Sequence, residues 1–184
     1  LPYLPDVEGW LGGSAHYVDS EGQMMLSADV SLDHFVYEKS PLGNWAMNGV
    51  YLPGDNNTHH VDGFIMHNDQ GIMFMNGIYQ TDETGKENIT GELELQHFPL
   101  WVINPFVPDG IVNFRGDIDG TLAMEGNPLK PVLNGGLQLD SVLMVMPDMS
   151  IGFRFDNKQV KMQDSKMVFD KFNIYTRGET PFVV

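Results

Sequence analysis

The residues of this chain that come closest to a metal site are three histidines and an aspartate. His59, His60, Asp62 and His67 lie close together in the sequence. Adjacent side chains of a β-strand point to opposite faces, so His59 and His60 cannot easily bind one ion. An Asn-Asn pair typical of a turn also precedes them. We therefore interpret them as solvated loop and strand residues and expect no metal site.

Two pairs of carboxylates could carry acid–base chemistry. Asp117 and Asp119 share one face of a predicted strand, as do Glu92 and Glu94. Paired carboxylates can cleave glycosidic bonds. Here both pairs occupy the polar phase of amphipathic strands, which predicts a wet outer face that aids solubility and protects strand edges. A glycoside-cleaving enzyme is the least favoured hypothesis, and we expect no catalytic residues.

Other catalytic signatures are missing from the sequence. It has no Gly-x-Ser-x-Gly motif, no phosphate loop and no dinucleotide fingerprint. The lack of cysteine excludes disulfides, zinc–cysteine sites and thiol chemistry. We therefore expect a protein that is not an enzyme and has no cofactor.

The charge of the chain excludes two classes of partner. The formal net charge is -15 with ten Lys and Arg residues, and residues 1–85 carry 12 acidic groups against a single base, Lys39. A nucleic-acid surface needs clustered basic residues, and so does electrostatic docking on an anionic membrane face. We expect neither partner.

The elements that must position these residues are β-strands. Met24, Leu26, Ala28, Val30 and Leu32 alternate with mostly polar residues, which predicts a strand with one dry and one wet face. The alternation returns at Leu93 and Leu95, at Ile118, Leu122 and Met124, at Leu137 and Leu139, and at Phe153 and Phe155. Polar turns at 19–22, 53–57, 68–71, 82–85 and 156–158 separate such runs. The pattern predicts about ten to twelve antiparallel strands joined by hairpins.

Residues 98–106 interrupt the strand pattern. Pro99 suits the first turn of a helix and Pro105 would end it, so we predict one short helix over 100–104 whose apolar residues cap the end of a sheet. The apolar run 142–146 contains β-branched residues and predicts a strand.

No linker divides the chain. We expect a single repetitive β segment over 1–184, with a candidate sub-boundary near 98–108.

Glycines recur at matching places in the predicted strands. Gly91 and Gly135 each open a Gly-x-apolar-x-apolar run, and repeated strand glycines predict bends and a curved sheet. Residues 110–128 end in Gly-x-Pro, and after a short link residues 131–139 contain the second such run. This order resembles the C-terminal region of the TamB family of AsmA-like proteins. The similarity is best over roughly 88–180 and weaker before it.

The resemblance implies a long, mostly antiparallel sheet folded into a trough, a β-taco, with an apolar interior. It also implies a protein that is anchored in the inner membrane of a Gram-negative bacterium, crosses the periplasm and meets the outer membrane. The implied function is phospholipid movement between the two membranes in support of outer-membrane biogenesis, and in some members assembly of outer-membrane proteins, with an outer-membrane β-barrel as a candidate partner. The chain shows no apolar run long enough to span a bilayer and no signal peptide. We therefore expect a periplasmic fragment of a cell-envelope protein, with targeting and anchoring segments elsewhere.

The apolar phase of the strands is the predicted lining of the groove. The candidate residues are Leu93, Leu95, Ile118, Leu122, Met124, Leu137, Leu139, Phe153 and Phe155. Burial of one CH₂ group is worth ~0.8 kcal/mol, so phospholipid acyl chains would slide along a continuous dry wall without reaching water. We expect a charged residue at Leu122 or Leu139 to block lipid passage and leave the fold intact. A terminal strand at a sheet edge is also an expected site of self-association.

The same alternation also suits a closed β-sandwich with a filled core. The alternative hypothesis is therefore a carbohydrate-binding module in which Trp10, Trp45 or Trp101 stacks on a sugar. The two hypotheses differ in whether the apolar faces stay open or are covered by the protein's own side chains.

Overall fold

The computed structural model describes residues 4–20, 22–108, 110–176 and 182–183. These residues form an all-β, antiparallel fold with one short helix, as the sequence predicts. The strands of the described residues are β1 (Val7–Ser20), β2 (Gln23–Tyr37), β3 (Ser40–Pro53), β4 (Thr58–His67), β5 (Gln70–Thr81), β6 (Glu87–Pro99), β7 (Asn113–Asn127), β8 (Lys130–Met146), β9 (Ile151–Phe155), β10 (Gln159–Gln163), β11 (Lys166–Val168), β12 (Asn173–Tyr175) and β13 (Phe182–Val183). The last three have three residues or fewer, which is why the sequence predicts a smaller number.

The chain divides into two compact units. Unit 1 comprises Leu1–Glu94 and Ala123–Leu133, and unit 2 comprises Leu95–Leu122 and Asn134–Val184. Residues 98–108, the candidate sub-boundary from the sequence, lie inside unit 2.

Unit 1 contains β1 to β5, the first part of β6, the end of β7 and the start of β8, and its strands are hydrogen-bonded in chain order. The predicted turns at 53–57, 68–71 and 82–85 lie between consecutive strands, and the one at 19–22 lies between β1 and β2 with residue 21 outside the described residues. The β2–β3 turn has no Gly, Asn or Asp signal. Glu38 and Lys39 form it with left-handed φ angles of 49° and 67°, a conformation that the tertiary structure must stabilise.

Unit 2 contains a packed cluster of buried apolar residues, and unit 1 also buries Leu42 and Ile72. β8 pairs with β10 through residues 135–138 and with β9 through residues 143–146, so the predicted strand over 142–146 is confirmed. β12 pairs with β9, and β11 pairs with β10. The core residues are Leu139, Val142, Val160 and Phe172, and Leu100, Ile118, Phe155, Phe169 and Ile174 pack against them.

The predicted helix is present as a 3₁₀ helix, Leu100–Phe106. It continues past Pro105, where the sequence led us to expect an end, because the Val107 N–H donates to the Asn104 carbonyl at 3.1 Å and closes the last turn. The Asn104 side chain also bonds both backbone groups of Phe114, accepting from its N–H at 2.7 Å and donating to its carbonyl at 2.9 Å. In the part of the chain that the structure describes, no helix is long and apolar enough to cross a membrane.

Residues with left-handed φ angles interrupt several strands, and the backbone N–H of each donates a hydrogen bond to a side chain from later in the sequence. In unit 1, His34 of β2 has φ 54° and its N–H donates to the Asn44 side-chain oxygen at 2.8 Å. In unit 2, the N–H of His97 donates in the same way to Asp119 at 2.8 Å, and that of Ser141 to Asn157 at 2.9 Å. Each side-chain oxygen takes the N–H that a bulge removes from the regular ladder.

We expect Asn44→Ala to lower the free energy of unfolding by about 0.5–1.5 kcal/mol, since it removes the acceptor of the exposed His34 N–H. Asn44→Asp retains an oxygen at this position and is the matched control. Amide hydrogen exchange at His34 checks the prediction: exchange should accelerate in the alanine variant and stay near the parent rate in the aspartate variant. Equal protection in all three proteins would contradict the proposed role of the side chain.

Candidate functional site

The sheet of unit 1 has two faces, and the strand register defines which side chains share each face. On one face Leu11 lies opposite Leu32, which lies opposite Trp45. On the same face Val30, Met47, Ile65 and Met73 follow one another across four strands. We call this surface the open apolar face; it comprises Leu11, Leu26, Val30, Leu32, Trp45, Met47, Tyr51, Val61, Ile65, Met73 and Met75.

A row of small residues crosses the open apolar face from β1 to β4. Ala15 lies opposite Ala28, Ala28 opposite Gly49, and Gly49 opposite Gly63. Side chains two positions away flank this row, with Met47 on one side and Tyr51 on the other. Since the small residues lack long side chains, the flanking side chains border a shallow lane that runs perpendicular to the strands. We call it the small-residue lane; three strand spacings make it about 14 Å long.

Large side chains of the open apolar face remain in contact with solvent. Met47 is 51% exposed, Leu26 40% and Met75 38%, although each lies in a strand with hydrogen-bonded neighbours. Apolar residues exposed singly are ordinary on a protein surface, whereas a contiguous exposed set is typical of interaction surfaces.

The opposite face of unit 1 mixes polar and apolar side chains, and its Leu52, Phe64 and Ile78 are 37%, 36% and 41% exposed. Asn48 donates a hydrogen bond to Asp29, and Asp62 lies opposite Asn76. Glu92 and Glu94 line a shallow depression on this face with Asn48, Asp62 and Asn76. Its floor includes the paired rings of Phe64 and Phe74, whose centroids are 6.3 Å apart. This face therefore combines polar groups with an aromatic floor, whereas the alternation predicts a wet polar face.

The predicted histidine cluster is dispersed by the fold. The buried His67 shares the Leu42 carbonyl with Trp45: His67 Nε2 and the indole N–H of Trp45 each lie 2.9 Å from that oxygen. His59 forms a 2.7 Å hydrogen bond with the Tyr51 hydroxyl. Over residues 4–176, leaving out 21 and 109, no group of three His, Cys, Asp or Glu side chains is placed to hold a metal ion.

The tryptophans of the alternative hypothesis are in different environments. Trp10 is 77% exposed on β1 and Trp101 is 38% exposed on the 3₁₀ helix. Trp45 is half-buried, with its indole N–H bonded to Leu42 and its ring tilted against His67 at 4.7 Å. The strands described in unit 1 form one hydrogen-bonded series, without the second facing sheet of a sandwich.

The candidate lining residues from the sequence are distributed over both units. Leu93 and Met124 belong to unit 1, and Leu95, Ile118, Leu122, Leu137, Leu139, Phe153 and Phe155 to unit 2. Leu93, Leu95, Met124 and Phe153 are half-buried. Leu122 and Leu139 are only 4% exposed and Leu137 6%, while Ile118 and Phe155 pack against the core. The predicted residues of unit 2 thus include several that the protein's own side chains cover; their role in a lining stays a prediction.

The expectation that a charge at Leu122 or Leu139 leaves the fold intact is corrected by this burial. Leu139 belongs to the core cluster with Val142, Val160 and Phe172. A charge there would be taken out of water without a partner, which costs far more than the side chain's own packing energy. Substitutions that test lipid contact belong on exposed apolar residues instead.

The two candidate carboxylate pairs lie in different units. Glu92 and Glu94 lie on the polar face of unit 1, and Asp117 and Asp119 in β7 of unit 2. Burial raises the pKa of Asp117, and the nearby Asp140 raises it further. The Asp119 carboxylate accepts the backbone N–H of His97 and lies 3.2 Å from that ring. Asp119 therefore stabilises the left-handed backbone of His97 within β6, a structural role that the sequence did not predict.

Asp156 follows β9 in unit 2, and its carboxylate accepts hydrogen bonds from residues of β12. Partial burial raises the pKa of its carboxyl, but hydrogen bonds from the Lys158 ammonium, the Asn173 N–H and the Tyr175 hydroxyl outweigh burial and lower the pKa below its ordinary value. A depressed pKa stabilises the folded state above the unfolded pKa of about 3.9, and this stability is lost as the pH falls through the folded value.

We expect Asp156→Asn to flatten the acid limb of the stability profile, because the variant has no carboxylate to protonate. Urea unfolding at several pH values below about 4 measures this, with the exposed Asp170→Asn as the control that keeps the parent profile. A profile of Asp156→Asn parallel to that of the parent would contradict the assignment.

The small-residue lane is the feature that reasoning from the sequence missed. The sequence feature that pointed to the lane was the central position of Ala28, Gly49 and Gly63 in their strands. The alignment of these residues, however, depends on the hairpin register. The chain matches no family model, and no curated protein or solved structure is significantly similar to it.

Proposed function

We propose that this chain is a segment of a periplasm-spanning, hydrophobic-groove protein that conducts phospholipid between the inner and outer membranes and supports outer-membrane biogenesis. The observation that carries the proposal is the open apolar face of unit 1, where side chains such as Met47 and Leu26 remain exposed. The resemblance of residues 88–180 to TamB and AsmA-like proteins supports it from the sequence.

The small-residue lane gives an acyl chain a place to lie. A chain along the lane contacts Ala28, Gly49 and Gly63 beneath it and the flanking side chains on both sides. Burial of each CH₂ group contributes ~0.8 kcal/mol, and the flexible Met47 fits chains of different shape. Because neighbouring stretches of such a wall are equivalent, movement along it changes the energy little.

The charge of the chain constrains where a phospholipid headgroup can lie. Asp29, Asp62 and Glu92 point to the opposite face of the sheet, so an anionic phosphate is repelled there and stays in water. The acyl chain can then bind to unit 1 while its headgroup is solvated. In the intact protein, the proposed partner at the far end of the route is an outer-membrane β-barrel.

The proposal is tested by identifying lipid that co-purifies with the protein. We expect mass spectrometry of organic extracts to find phospholipid at a constant ratio to protein after gel filtration, without added detergent. The comparison protein is the same chain carrying Met47→Lys, which should retain much less lipid. Protein free of lipid, which also fails to take up phospholipid from vesicles, would contradict the proposal.

A further inference from the structure

The two exposed methionines of the open apolar face both border the small-residue lane. Met47 of β3 flanks the lane on one side, and Met75 of β5 lies opposite Gly63, where the lane ends. Met73 lies on the same face of β5 but opposite Ile65, and it is half-buried. The residues of the lane have no side chain long enough to cover a neighbouring thioether, so Met47 and Met75 stay accessible to solvent.

A thioether in contact with solvent is open to oxidation by a peroxide. Its sulfur lone pair attacks one oxygen of the peroxide, the O–O bond breaks, and a sulfur–oxygen bond forms. With hydrogen peroxide the products are a methionine sulfoxide and water, so the sulfur loses the electron pair that the peroxide gains. The reaction converts a flexible apolar side chain into a polar one that accepts hydrogen bonds.

We propose that Met47 and Met75 are oxidation sites through which a peroxide releases phospholipid from the open apolar face. The inference rests on the proposed function, because it is the acyl chain in the lane that the sulfoxide oxygen opposes. A sulfoxide covered by an acyl chain loses its hydrogen bonds to water and gains no partner. Phospholipid therefore binds the oxidised protein less tightly, and reduction of the sulfoxides to thioethers restores binding.

The packing of the methionines lets this oxidation change the surface while the fold remains. All twelve methionines lie among the described residues, and none of them is buried. The core cluster of unit 2 therefore keeps its apolar side chains when peroxide is added. Met47 and Met75 lie within strands whose backbone hydrogen bonds do not involve the side chains, and their sulfoxides are solvated when no lipid is bound.

Tandem mass spectrometry after brief treatment with hydrogen peroxide tests the two sites in the absence of lipid. We expect sulfoxide at Met47 and Met75 before it forms at Met73, which shares their face but is less exposed. Oxidation of Met73 as fast as that of Met47 and Met75 would overturn the assignment of the sites.

Uptake of fluorescent phospholipid from vesicles tests the consequence, with each protein compared with its own untreated sample. We expect peroxide to reduce uptake by the parent at least about tenfold, and a methionine sulfoxide reductase with a thiol to restore it. Met47→Leu with Met75→Leu should lose much less, because leucine has a similar volume and no sulfur to oxidise. Met149→Leu with Met167→Leu removes two exposed thioethers of unit 2 and should lose uptake as the parent does.

The outcomes separate this proposal from the proposed function. Equal loss in the two double variants would overturn the role of Met47 and Met75, and so would full uptake by a parent in which both residues are oxidised. An untreated parent that takes up no phospholipid would overturn the proposed function and the release of lipid together, whereas the order of oxidation is measured without lipid and decides the sites in either case.

Discussion

Replacing Phe172 with alanine lowers the free energy of unfolding by about 3–5 kcal/mol. Phe172 is 1% exposed and lies outside the strands, where its ring contacts Phe169 at 5.2 Å in an edge-on arrangement and Phe155 at 6.3 Å. Its removal leaves a cavity beside Leu139 and Val160. Urea unfolding followed by Trp101 fluorescence measures the loss, since Trp101 is the tryptophan of unit 2.

The control for this substitution is Phe106→Ala. Phe106 is in the same unit and undergoes the same chemical change, but it is 57% exposed. We expect a loss below about 1 kcal/mol for it, as for most exposed positions. If both variants lost the same stability, Phe172 would not be the centre of the core.

We expect a double substitution, Leu26→Lys with Met47→Lys, to weaken the proposed phospholipid binding by at least about tenfold, which corresponds to about 1.4 kcal/mol. Both side chains lie on the open apolar face, on opposite sides of the small-residue lane. An ammonium group beside an acyl chain must lose part of its hydration, which opposes binding. Both residues are already 40% or more exposed, so the fold tolerates the change.

The matched control adds the same two charges elsewhere. Leu129→Lys with Met149→Lys changes side chains that are 92% and 63% exposed and lie in the link between β7 and β8 and in a short 3₁₀ turn. We expect circular dichroism spectra like that of the parent for both double variants, and parent-like uptake of fluorescent phospholipid only for the control. Equal uptake by both would show that the lipid lies elsewhere on the protein.

Local signals in the sequence were enough to predict most of the hairpins. Turns such as 53–57 carry the Gly and Asn residues that a chain reversal favours, so their positions follow from the residues themselves. The β2–β3 turn could not be found in this way, because Glu38 and Lys39 adopt left-handed angles without a favourable residue type. The helix was predicted from its prolines, but its end was not, since the bond from Val107 to Asn104 closes it beyond Pro105.

The candidate site could be predicted only in part. Alternation identifies the apolar side of each strand, but not which apolar side the rest of the protein covers. In unit 2, Phe172 and Leu100 pack on the core from outside the strands, a contact between distant residues that periodicity does not encode. In unit 1 the lane exists because Gly49 and Gly63 align, which requires knowledge of the register.

The most direct test is whether an acyl chain lies in the small-residue lane, which Met47 borders. Trp10→Phe, Trp45→Phe and Trp101→Phe together with Met47→Trp leave one tryptophan in the chain, beside the lane, and phospholipid brominated on its acyl chains quenches a tryptophan that it contacts. We predict saturable quenching of this tryptophan, and its loss when Leu26→Lys is added. Bound phospholipid that leaves its fluorescence unchanged would contradict an acyl-binding role for the lane.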